Sequence, residues 1–164
     1  MVDYEDLPVL HVKNWLTEQF FNSGIVVESD YAGIVPIVPV QDTDKTSKLL
    51  GNKPYIVYTI APSPVVTQDF FMKEELVFFH IFSNNFIEVT AIGNFLVDML
   101  DRRDSTAREV NESMSVHAIN FKSFELLRTN EVLPSEQPAG RFVQSFIFVY
   151  QFTRQMGIDN RFAF

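Results

Sequence analysis

Along Arg141–Arg154, the side chains of Phe142, Phe146, Phe148, Tyr150 and Phe152 fall on one side of an extended chain, and Val143, Ile147 and Val149 on the other. Successive residues of a strand point to opposite faces. This segment is therefore apolar on both sides, interrupted only by Gln144 on the first and by Ser145 and Gln151 on the second. A strand with one wet face alternates apolar with polar residues; one that is apolar on both belongs in or near the middle of a sheet. The fold must build a sheet around residues 141–154.

Two more segments have the same character. Lys53–Ala61 and Glu74–Phe82 are rich in β-branched and aromatic residues and apolar on both faces, which predicts central strands covered on two sides. Val116–Leu127 predicts a further strand, joined to the last by the Pro- and Gly-bearing stretch Thr129–Gly140. The runs Ile25–Val27 and Ile34–Val40 read as weaker strands. Pro36 and Pro39 cannot donate to a central ladder, so the second of these is an edge strand or an extended segment. Gln41–Asn52 is polar and aperiodic, and reads as a loop.

Helical periodicity appears twice. Val9, Val12, Leu16 and Phe20 share one face, with Trp15 beside them as a core anchor. Pro8 near the first turn and Gly24 at the end predict a helix over about residues 8–22. Asn85 followed by Glu88 has capping-box spacing, and Val89, Ile92, Leu96, Met99 and Leu100 supply a buried stripe behind it. Arg102 and Arg103 suit the negative end of that helix, and Ser105 or Thr106 can cap a brief second helical turn to about Glu112. Gly93 lies mid-helix, at a cost of about 1 kcal/mol relative to Ala; close approach of another backbone and simple tolerance both account for it. The expected fold is α+β: one domain over residues 1–164, with a core of about 8–154 and a C-terminal tail 155–164. Its largely antiparallel sheet carries helices packed on one face.

A chain of 164 residues buries enough surface to fold without disulfides or a structural metal. It contains no cysteine, which removes thiol nucleophiles and Cys-based zinc sites and fits a reducing compartment. The acidic opening Met1–Asp6 lacks the pattern of a cleaved export signal, and no apolar stretch is long enough to span a bilayer. A net charge of −8 disfavours tight nucleic-acid binding, although an acidic surface lets DNA slide past without sticking. The 17 Phe suit a dense core or an aromatic interface.

Little in the sequence points to catalysis. His11, His80 and His117 are the only imidazoles and show no metal-ligand spacing; His80, among Phe78, Phe79 and Phe82, reads as a hydrogen-bonded core or interface histidine. There is no nucleophile elbow, and the glycines form neither a P-loop nor a dinucleotide fingerprint. Asp98, Asp101 and Asp104 recur every three residues. They read either as a carboxylate site for a hard cation or a shared proton, or as a solvated charged face interleaved with Arg102 and Arg103. No catalytic residue, metal site or cofactor is expected.

Phe86–Arg102 forms a long helix ending in Leu100-Asp-Arg102, followed by a short polar segment and two long strands ending in Tyr150-Gln-Phe-Thr-Arg154. Together with the first helix and the early strands, this order resembles the tail terminator (tail-completion, head–tail joining) proteins of long-tailed bacteriophages over most of residues 8–154. The resemblance implies a structural virion protein, assembled in the host cytoplasm, that forms a ring of six copies on the head-facing end of the tail tube. Its implied partners are its own copies, the tail tube protein and the head or neck connector proteins, with DNA passing through an acidic lumen without specific binding. It implies no enzyme activity, no cofactor and no membrane. Two other readings stand beside it: another neck or tail-tube component of the same fold, and a small enzyme or ligand module using Asp98, Asp101 and Asp104.

Two segments are candidate assembly contacts. Val65–Lys73, with Phe70, Phe71 and Met72, is unusually apolar for a connection; it reads either as an arm that orders on assembly or as an extension of the hairpin. In the tail, Phe162 and Phe164 either tuck back onto the parent domain or dock on a neighbour.

Overall fold

The computed structural model describes residues 7–31, 36–40, 53–62, 72–114, 119–135 and 140–154. In chain order these form α1 (Pro8–Ser23), a short 3-10 helix (Glu28–Tyr31), β1 (Ile37–Pro39), β2 (Tyr55–Pro62), β3 (Met72–Ser83), α2 (Phe86–Leu100), α3 (Asp104–Ser113), β4 (Ile119–Thr129), β5 (Leu133–Ser135) and β6 (Arg141–Arg154). The described strands make one sheet in the order β1-β2-β3-β6-β4, with β5 also paired to β6. Only the β1–β2 pair is parallel. The class is α+β, as the sequence predicts, and β6 is interior.

Register explains which aromatic residues make the core. Phe79 lies opposite Phe146 and Val77 opposite Phe148; Tyr58 and Ile60 follow in β2, and Phe121, Phe124 and Leu126 in β4. Phe79, Phe146, Phe148, Phe121 and Phe124 are all buried there. The helices cover this face. Phe20 of α1 meets Phe95 of α2 with ring centroids 4.9 Å apart, and Val12, Trp15 and Leu16 are buried with it. Tyr150 is fully buried in the same layer and donates its hydroxyl to Glu75 Oε1 at 2.8 Å. Burial first, and the Glu75 charge second, hold this phenol protonated well above its ordinary range.

The helix boundaries follow local chemistry with three differences from expectation. Gly24 ends α1 in the left-handed region (φ 76), a conformation that costs glycine least. Asn85 Oδ1 accepts from Ile87 N and Glu88 N, at 2.9 and 3.4 Å. Glu88 does not complete a reciprocal capping box; it accepts from Ser83 Oγ at 2.5 Å, and that hydroxyl accepts from Asn85 N at 3.1 Å. Buried Ser83 thus relays what Glu88 was expected to do directly. The second difference is that α3 is a full ten-residue helix beginning at Asp104. Thr106 does not cap it: its hydroxyl donates back to Met99 O at 2.7 Å, locking α3 against the end of α2. Third, Ile25–Val27 is not a strand. Val26 is buried and Val27 is 52% exposed, and the chain then turns into the 3-10 helix, where Tyr31 donates to Pro54 O at 2.6 Å.

The strands also depart from expectation. Of the expected Ile34–Val40 run, Ile37–Pro39 is a strand at the edge, and residues 34 and 35 lie outside the described residues. Within the stretch read as a plain connection, Leu133–Ser135 adds a short strand against the start of β6. β4 runs from Ile119 to Thr129, slightly later than predicted; the first residues of the predicted strand, 116–118, lie outside the described residues.

Both edges of the sheet are blunted. At β1, Pro39 carries no backbone N–H, and the strand is three residues long. At β4, register shifts between Phe121 and Ser123 and between Leu126 and Arg128 bend the strand. The α2–α3 corner then occupies its outward-facing groups. Asn111 Oδ1 accepts from Phe121 N at 2.8 Å while its Nδ2 donates to Phe121 O at 2.9 Å, which imitates a neighbouring strand. Arg103 N donates to Phe124 O at 3.1 Å, and Asp101 Oδ1 accepts from Leu126 N at 2.9 Å. An edge with its donors and acceptors already engaged is a poor template for another strand.

Candidate assembly surface

The other face of the sheet carries no described helix. Lys53–Ala61 and Glu74–Phe82 were expected to be covered on two sides; the described helices cover one, and on the other Val38, Tyr55, Val57 and Val149 are buried as well. Reading across the sheet, one row on the open face is Tyr55–Phe82–Val143–Leu133, and the next is Val38–Val57–His80–Ser145. Thr59–Phe78–Ile147 and Ala61–Leu76–Val149 complete it. Leu76, Phe78, Phe82, Val143 and Ile147 are half-buried, whereas their neighbours on the helix face are fully buried. The two-sided apolar pattern therefore has two origins: a closed core below and a partly open apolar face above.

Among the described residues, charge enters these rows only at their ends, at Glu125 beside Val149, Arg128 beside Ile147 and Arg141 beside Tyr55. Between those ends, His80 is the one titratable side chain besides Tyr55; its Nδ1 lies 2.7 Å from Ser145 Oγ, and burial holds the imidazole below its ordinary value, so it is neutral at pH 7. Tyr55 stacks on Phe82 at 5.2 Å, and the Arg141 guanidinium sits 5.2 Å from the Tyr55 ring centroid. The Tyr55 hydroxyl is buried without a hydrogen-bond partner. Ionised residues begin at the margins, with Glu74 opposite Gln151, Glu125 opposite Val149 and Arg128 opposite Ile147. The helix layer is different: Glu18 of α1 and Glu109 and Glu112 of α3 line a groove of about 410 Å³ beside Trp15. Among the described residues, ionised side chains thus lie on the helix side and at the sheet margins.

The three aspartates do not form a shared site. Asp98 is exposed on α2, Asp101 caps the end of α2 and bonds the β4 edge, and Asp104 opens α3. Among the described residues, no group of three His, Asp or Glu is placed to hold a metal ion. Arg102, expected at the helix end, donates to Met99 O at 3.3 Å and pairs with Glu109 at 2.6 Å. His11 is half-buried in α1, and His117 lies outside the described residues.

Of the candidate contact residues, Met72 is half-buried at the start of β3, opposite Thr153. Met72 and Lys73 therefore belong to the sheet. Phe70, Phe71, Phe162 and Phe164 lie outside the described residues. Sequence reading did not single out the open face as a surface. The signal was present, since Phe78, Ile147 and Val149 alternate with the core residues, but alternation cannot say which of two apolar faces a helix will cover. No helix among the described residues is long and apolar enough to cross a membrane. No protein-family model matches this sequence, and no curated protein matches it.

Proposed function

We propose that this protein is a structural subunit of a phage virion, forming a six-membered ring that caps the tail tube and joins it to the head and neck. The observation that carries the reading is the order of elements in one α+β domain: a first helix, an edge strand, two long strands, a helix pair, then two long strands. The same order carries the resemblance to tail terminators. The role requires no cofactor or metal. Its partners are other copies of the chain, the tail tube protein and the connector proteins, and DNA passes through the ring without specific contacts.

Acidity fits this role, because a negative lumen repels the phosphate backbone and keeps the passing DNA from sticking. The test is to image particles assembled without this protein. Tail tubes should run past their normal length and fail to join heads, and adding the purified protein should restore both. Tubes of unchanged length with heads attached would dismiss the reading.

A further inference from the structure

We draw no further inference here: the strongest candidate, the largely apolar groove of about 450 Å³ between the start of α1 and the β1–β2 edge of the sheet, lined by Leu7, Leu10, Val40 and Ile60 among others, carries nothing, because the chain on either side of it, residues 1–6 and 41–52, lies outside the described residues and nothing described shows what covers it.

Discussion

Phe148→Asp should leave the chain unfolded at neutral pH. Phe148 is fully buried at the centre of β6, paired with Val77 on one side and Leu126 on the other. Its ring lies 6.0 Å from that of Phe79 and 6.3 Å from that of Phe146. Removing the ring alone costs about 3–5 kcal/mol on the scale of Phe→Ala core substitutions. A carboxylate at this position adds several kcal/mol more, or takes up a proton to avoid ionising in an apolar layer. A domain of this size has about 5–15 kcal/mol of stability in all, so the combined loss is comparable with the whole. Circular dichroism and thermal melting provide the check: the variant should show no cooperative transition, whereas Phe148→Leu should still melt cooperatively at a lower temperature. Native-like melting of Phe148→Asp would remove Phe148 from the core.

Gly93→Ala should destabilise the domain even though it improves the helix. In an exposed helix interior this change gains up to about 1 kcal/mol. Here a Cβ would lie 2.6 Å from Gln144 Oε1 and 2.8 Å from Phe146 Cζ. The Gln144 side chain can swing aside, at the cost of its hydrogen bond from Nε2 to Asn130 O. The Phe146 ring is 2% exposed and stacked on Phe148, so it has nowhere to move without displacing β6 from α2. Overpacking of this kind costs about 1–3 kcal/mol, which outweighs the propensity gain. Urea denaturation should show a lower midpoint with an unchanged slope. A higher midpoint would mean that α2 does not approach the sheet this closely. Of the two readings of Gly93, simple tolerance and the approach of another backbone, neither holds as stated: the nearest atoms are side-chain atoms of Gln144 and Phe146 on the facing strand.

What was legible in the sequence followed from local periodicity. The 3.6-residue spacing of Val9, Val12, Leu16 and Phe20 gave α1, with Gly24 as its stop. Phe146, Phe148, Tyr150 and Phe152 set the buried face of an interior strand. What periodicity could not show depends on residues far apart in the chain. Asn111 and Asp101 bond Phe121 and Leu126, partners ten and twenty-five residues away, and no propensity marks an Asn or Asp as the cap of a sheet edge. The Asp98–Asp104 spacing looked like a possible carboxylate site because a three-residue period was extended past the end of a helix. The chain breaks at Asp101 and turns through Arg103, at φ 48, so the period ends before the third carboxylate. The open face stayed hidden for a related reason: β3 and β6 are apolar on both faces, and only tertiary packing assigns one face to the helices.

The proposed role places a closed ring of this protein at the head-facing end of a tail tube. Averaged electron cryomicroscopy images of tail ends, with the protein carrying a density label at its α2 surface, test it most directly. The proposed ring should appear as a single six-fold feature confined to the head-facing end. Label distributed along the tube, or absent from the tail altogether, would contradict it.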